Sequence, residues 1–348
     1  MARLGLIAAL VSLALAAAVP AARAQTGADL ASYAGPDREQ RLAAGARREG
    51  SLTFYTSLHE QNLPAILAAF EKKYGVKVKP WRSGADKVLQ RAVAEAGAGR
   101  YDMDAVHVGS GELEALHREK LLMEIRSPHQ AKLLPAAMPS HRDWAPTYLT
   151  VFVQEYNTNA VKQGELPKRW EDLLDPRWKG RLAVEERDDD WFGRLAEAMG
   201  EQKGIDLFRR IVAANGVSVR KGHSLLGNLV VSGEAPFALA SHYNVSESAK
   251  KKGAPVGWIA LEPVVARANG IAVARKAPHP NAAILFYDWL IGDEGQKLLA
   301  TRDYPPASVN VPSPLASASL KIIDPAKSLD EEGKWEKIFR DLVTRRGK

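Results

Sequence analysis

An imidazole, a phenol and a run of carboxylates carry most of the chemistry this sequence could perform. His59 stands in Tyr55-Thr56-Ser57-Leu58-His59-Glu60, directly after a short β-type run. Its ring therefore falls in a loop at the carboxyl end of a strand, a position suited to a metal or an anion, or to a plain surface histidine. Tyr243, in Ser241-His242-Tyr243-Asn244, offers a phenol oxygen or a stacking face for an organic ligand. The stretch Glu185-Glu186-Arg187-Asp188-Asp189-Asp190, followed by Trp191-Phe192, attracts a cation and repels phosphate. The same acids also suit the solvated first turn of a helix. Glu185 with Asp189 or Asp190 are assigned to a ligand cleft. Ser83-Gly84, Ser110-Gly111 with Glu112, and His223-Ser224 place small donors at helix starts, where backbone N–H groups bind carboxylate or phosphate or are simply capped.

None of this assembles into a catalytic motif. Gly222-His223-Ser224-Leu225-Leu226-Gly227 has the flavour of a nucleophile elbow, but Leu226 stands where that turn needs glycine. There is no H-E-x-x-H, and Gly109-x-Gly111 lacks the third glycine of a dinucleotide loop. The chain contains no cysteine, which excludes thiolate zinc sites, iron–sulfur clusters, a cysteine nucleophile and disulfides. A secreted hydrolase is the remaining enzymatic alternative; an adhesion or scaffold protein would need repeats or an exposed apolar patch, and neither is visible. The expectation is a binding protein with no catalytic residue and no resident cofactor.

The elements that must position these residues alternate. A helix over 36–48, a strand over 52–56, a helix over 63–74 and a strand over 76–81 make a β-α-β unit. A helix over 86–96, a strand over 104–108 and a helix over 112–119 continue it, which predicts a mostly parallel sheet covered on both faces. Ligands of such sheets sit beyond the strands' carboxyl ends, here the loops opening at Ser57, Arg82 and Gly109. The β-rich segment 148–156 reads as a crossing into a second lobe, with a strand over 182–185, helices over 192–199 and 204–214, and a strand over 236–240. A second crossing over 256–274 returns the chain to the first lobe, completed by helices over 280–299 and 331–343.

Arg3, the apolar run 4–19, Pro20 and Ala22-Arg23-Ala24 read as a cleavable export signal, with the mature chain starting at Gln25. The apolar run is short of the ~20 residues a membrane span needs. The formal charge of +7 falls to +5 once Arg3 and Arg23 leave, and basic residues come only in short runs such as Lys250-Lys251-Lys252, which argues against a nucleic-acid partner. About 320 mature residues suffice for two cores of ordinary size.

One stretch is more specific. Pro167-x-x-Trp170-x-Asp172-Leu173-x-Asp175-Pro176-x-Trp178-Lys179-Gly180-Arg181, with His279-Pro280-Asn281-Ala282-Ala283 through Phe286 to Glu294-Gly295-Gln296, resembles type II periplasmic solute-binding proteins of ABC importers. The likeness is to their ferric-iron-binding branch, extracellular solute-binding family 1. Taken as residues, Asp172 and Asp175 suit turns and caps, and the tryptophans anchor a loop. The resemblance implies an α/β fold of two lobes joined by two hinge strands around an interlobe cleft: residues 1–24 signal, 25–149 and 261–348 the first lobe, 150–260 the second. It also implies that His59 and Tyr243 ligate metal, with Asn244 where those relatives carry a second tyrosine; Glu185 joins them as a carboxylate of the acidic run, which attracts a metal where those relatives often have a small-residue loop.

The ligand set that follows is His59, Ser83, Glu112, Glu185, Asp189, Asp190, Trp191 and Tyr243. The cargo is ferric iron or a ferric complex, delivered by a periplasmic monomer to a membrane permease. A polyamine or thiamine-like cation held by the acidic run and Tyr243 or Trp191 is the alternative, and an organic acid or phosphonate a third.

Overall fold

The computed structural model describes residues 27–344, so the signal over 1–24 lies outside the described residues. Ten strands form one continuous sheet: β1 (Ser51–Thr56), β2 (Lys77–Arg82), β3 (Ala105–Gly109), β4 (Trp144–Asn157), β5 (Leu182–Glu185), β6 (Ser218–Arg220), β7 (Phe237–His242), β8 (Val256–Ile259), β9 (Val264–Val273) and β10 (Leu320–Ile322). Their order is β2-β1-β3-β9-β4-β7-β5-β6, with β10 on β9 and β8 on β4. The β-α-β rhythm of the first hundred residues gives the parallel trio β2-β1-β3, and β5 with its neighbours β6 and β7 repeats the parallel pattern farther on. Between the two sets run β4 and β9, antiparallel to each other, so the sheet is mixed where the sequence predicted mostly parallel.

β4 makes the two-lobed plan. Residues 144–151 pair with β9, residues 152–156 with β7 and residues 154–157 with β8. A strand buried almost end to end thus belongs to one lobe at its start and the other at its finish. The first lobe packs Phe54 and Phe70 edge to face on Phe286, centroids both 4.9 Å apart, with Trp289 stacked on Phe286. The second gathers Trp170, Trp191, Phe192, Phe208 and Phe237.

The P-x-x-W-x-D-L stretch is scaffolding at the base of that second core. Trp170 and Trp178 are buried, Asp172 accepts the Lys168 backbone N–H at 2.8 Å and Asp175 that of Arg177 at 2.9 Å. The Glu294-Gly295-Gln296 stretch is a second brace. A Cβ on Gly295 would sit 2.4 Å from the Trp289 carbonyl oxygen, so only glycine admits the close approach. Gln296 is fully buried and its amide donates to the Thr147 carbonyl at 2.9 Å.

Three boundaries differ from the sequence reading. The helix predicted over 280–299 is two, Pro280–Ile291 and Asp293–Ala300, parted where Gly292 turns extended. The crossing over 256–274 is likewise two strands, β8 and β9. The C-terminal helix begins at Pro325, and it packs chiefly on the second lobe instead of completing the first. Trp335, Phe339 and Leu342 join the second core, and Gly193 makes room for them: a Cβ there would lie 2.7 Å from the Trp335 indole. Apolar residues on that helix find their partners there, while Arg118 of the first lobe reaches Asp330 at 2.6 Å.

Candidate functional site

The lobes meet over β4 and β9, and one guanidinium stands at the meeting point. Arg267 is a single charge in the apolar run Val264–Val273; its Nη1 donates to Asp190 Oδ2 at 2.8 Å, and its guanidinium lies 5.6 Å from the Phe152 ring centroid. Asp190's charge, then that of Glu112, hold the guanidinium in its charged form against the cost of burial. Glu112 comes from the first lobe, in the opening turn of the helix Ser110–Arg118 that follows β3. Burial raises its carboxyl, Arg267 opposes that, and Asp86 and Asp190 add to it.

Opposite, the second lobe supplies three elements. β5 ends in Glu185 and the loop after it carries Asp188, the helix His223–Ser232 opens with His223, and β7 ends in His242. Glu185 clasps the site from beneath: its oxygens accept the backbone N–H of Arg187 at 2.6 Å and of Gly222 at 2.8 Å, which fixes the helix start beside it. Asp188 Oδ1 lies 3.1 Å from His223 Nε2. Burial opposes protonation of His223, yet the Asp188 charge and hydrogen bond outweigh it and raise its pKa. Burial likewise raises Asp188. His242 packs its ring 4.0 Å from that of His223, and burial, then the neighbouring His223 and Arg267, drive it well below the usual imidazole range. Asp188 Oδ2, His223 Nδ1 and His242 Nε2 are all buried without a partner. One donor atom each from Glu185, Asp188 and His223 lie within 4.8 Å of one another.

The structure gathers some sequence-derived candidates here and distributes others. Glu112, Glu185 and Asp190 converge on the centre. Asp189 turns away toward the C-terminal helix, lining a groove with Glu332 and Glu336; burial and the adjacent Asp190 push its carboxyl up to about 6. Trp191 is 1 % exposed in the second core, so it cannot be the stacking wall it was read as: at its place in the helix Asp189–Met199 it faces Phe152, Trp170 and Phe208. Ser83 is half-buried after β2, its N–H on the Thr56 carbonyl. His59 is exposed, and its Nδ1 accepts the Gln61 N–H at 3.3 Å. Tyr243 is buried edge-on to Trp258 at 5.1 Å, and burial, then Glu247 and Asp303, raise its hydroxyl to about 12. His59 and Tyr243 flank one turn from opposite lobes: burial raises the Tyr304 hydroxyl and Asn62 and the His59 backbone lower it, while Asp303 helps to raise that of Tyr243.

Other polar contacts also cross between the lobes. Arg187 donates to Asp86 at 2.8 Å, Lys252 to Gln61 at 3.1 Å, and Lys251 pairs with Asp303. Sequence reasoning did not single out Arg267, Asp188 or His242. Only Arg267 carried its own signal, a lone charge in an apolar strand.

A cleft closed between two lobes that share hinge strands is the geometry of a ligand trap, and the comparisons agree. A family model for bacterial extracellular solute-binding proteins matches residues 56–297. This chain belongs to that family. Among relatives of this solute-binding protein, the "Fe(3+)-binding periplasmic protein" of Serratia marcescens is 26% identical over 299 residues, covering 83% of this chain and 86% of the relative. "Iron uptake protein A1" of Synechocystis is 23% identical, covering 88% and 90%. Iron-bound HitA from Pseudomonas aeruginosa superposes with a TM-score of 0.70 at 22% identity, over 84% of this chain and 99% of that one, and AfuA from Actinobacillus pleuropneumoniae, with fructose-6-phosphate, at 0.70 and 21%, over 85% and 99%. The fold is that of type II periplasmic binding proteins, and the chain is a substrate-binding transport protein, not an enzyme.

Proposed function

We propose that this solute-binding protein captures ferric iron or a ferric complex in the periplasm, as a monomer, and hands it to the membrane permease of an ABC importer. The observation that carries the reading is the concentration of carboxylates at the hinge: Glu112, Asp188 and Asp190 crowd one guanidinium, and burial raises the carboxyls of Glu112 and Asp188 against the pull of Arg267 and His223. A cation bound there relieves that imbalance. The iron-related names of the relatives from Serratia and Synechocystis support the same cargo. Arg267, charged and 31% exposed, gives an organic acid that accompanies the metal a place to bind. An aromatic-caged organic cation fits less well, because Trp191 is packed in the core.

Ligand closes the lobes by binding the closed form better than the open one, and closure presents both lobes together to the permease. Purified protein incubated with ferric citrate or ferric nitrilotriacetate and then desalted should retain about one iron per chain by elemental analysis, with Tm raised as binding stabilises the native state. Retention of no iron from either complex refutes ferric cargo.

A further inference from the structure

Resting on that reading of a metal cargo, we propose that the metal is held mainly by the second lobe, through His223 Nδ1 and His242 Nε2, with Asp188 as the positioning residue. The class of cargo this pair takes is a first-row transition ion that accepts imidazole nitrogen.

The argument is one of unfilled bonds. Buried polar atoms in folded proteins nearly always have partners. Here three neighbouring residues from three separate elements each carry one without a partner: Asp188 Oδ2, His223 Nδ1 and His242 Nε2, with Asp188 touching His223 and the His223 ring touching that of His242. The two rings are in contact, 4.0 Å between centroids and 37° between planes, so neither nitrogen is unpartnered for lack of neighbours.

The tautomer follows from the hydrogen bond. Asp188 Oδ1 faces His223 Nε2 at 3.1 Å, an acceptor that keeps the proton on Nε2 and leaves the Nδ1 lone pair free. Carboxylate, imidazole and metal in line is how proteins orient a metal-ligating histidine. Asp188, 2 % exposed, also supplies negative charge beside the cation. Glu185 completes the support: by holding the N–H of Gly222, one residue before His223, it pins the helix start on which that ring turns. His242 follows the apolar Phe237–Ala240 of β7 and ends that strand beside the opening of the helix His223–Ser232. Two imidazoles suit Fe, Co, Ni and Zn, whereas an all-oxygen set would suit harder ions.

The test uses the purified protein with ferric nitrilotriacetate, Co²⁺ and Zn²⁺ as probes, and circular dichroism and melting to confirm that each variant folds. Variants are H223Q, H242Q, the pair together, D188N, and R209A as the comparison, in an exposed pair within one helix of the second lobe. The expected result is loss of affinity of about 100-fold or more in the double variant and about 10- to 100-fold in D188N, where orientation survives but charge does not. The absorption spectrum of bound Co²⁺ should shift in the histidine variants and stay unchanged in R209A. Full affinity and spectrum in the folded double variant overturn the proposal and leave the metal cargo standing. Wild-type protein that refuses ferric iron yet takes Co²⁺ or Zn²⁺ through this pair upholds the proposal and removes ferric cargo. Wild-type protein that takes none of the three overturns both. Should either histidine variant fail to fold, the other and D188N decide on the same criteria.

Discussion

Removing the polar contacts that bridge the cleft should open the protein, and the size of the effect is set by how exposed they are. Arg187 and Asp86 are 66% and 56% exposed as side chains, and Lys251 and Asp303 are 59% and 17%. Exposed ion pairs contribute about 0.2–1 kcal/mol each, because water screens them and two long side chains must be held still. With the hydrogen bond from the Lys252 ammonium to Gln61 added, the three together are worth about 1–2 kcal/mol, or roughly 5- to 30-fold in the ratio of closed to open molecules. In the triple variant R187A/K251A/K252A, affinity should weaken by up to that factor, since only the closed fraction grips from both sides. Solution X-ray scattering on unliganded protein should give a larger radius of gyration for the variant. Raising salt toward 1 M, where the screening length is about 3 Å, should reproduce part of the change in wild type. Arg209 and Asp206, a similarly exposed pair within one helix of the second lobe, provide the control, and R209A should do nothing to either readout. Affinity within about twofold of wild type and an unchanged radius in the triple variant would refute the claim that these contacts govern closure.

Other outcomes follow from single residues. His107 is fully buried under the cleft with Nε2 2.8 Å from the Thr147 hydroxyl, and burial holds its pKa at about 3. Since the unfolded chain takes up that proton near pH 6.5 and the native protein does not, its contribution is intact above pH 6.5 and is lost as pH falls below it. Wild type should thus lose about 2 kcal/mol more than H107N between pH 7 and pH 5 in denaturant titrations; parallel curves would contradict this. G193A should cost about 1–3 kcal/mol by forcing the Trp335 ring aside, and W335L should recover part of it in a double-mutant cycle. W191A should cost about 3–5 kcal/mol by emptying core volume while the folded variant keeps its cargo affinity; a large affinity loss at full stability would return Trp191 to the cleft.

The fold was readable where pattern and period agree. The parallel trio β2-β1-β3 announces itself because apolar runs and amphipathic helices alternate without interruption, and β4 because so long a β-rich stretch has no other use. The helix opening at Tyr243 was not recognised, and the one opening at His223 was marked only by its start. Ser224-Leu225-Leu226-Gly227-Asn228-Leu229-Val230-Val231 mixes glycine, asparagine and β-branched residues, and Glu185, far away in the chain, holds the Gly222 N–H where it begins. The same reason hides half of the site. His223 was visible as a donor at a helix start, and Glu112, Glu185 and Asp190 as acids near one. Asp188 read as one more acid in a run, and His242 as a neighbour of Tyr243, because pairing between residues far apart in the chain leaves no local mark. Trp191 misled for the opposite reason: an aromatic beside acids suggests a cation box, but one helical step turns it into the core.

The placement of Trp335, Phe339 and Leu342 ties distant parts of the chain into one core. Phe192 and Phe208 meet these side chains only from Pro325–Thr344, a helix that follows the return strand β9 in the sequence. The lobe that supplies His223 and His242 is therefore a composite, and its stability is shared with a segment that contributes nothing to the ligand. Removing that helix would bare apolar surface of the second core to water, so damage there would reach the site through the core and not through any contact with cargo.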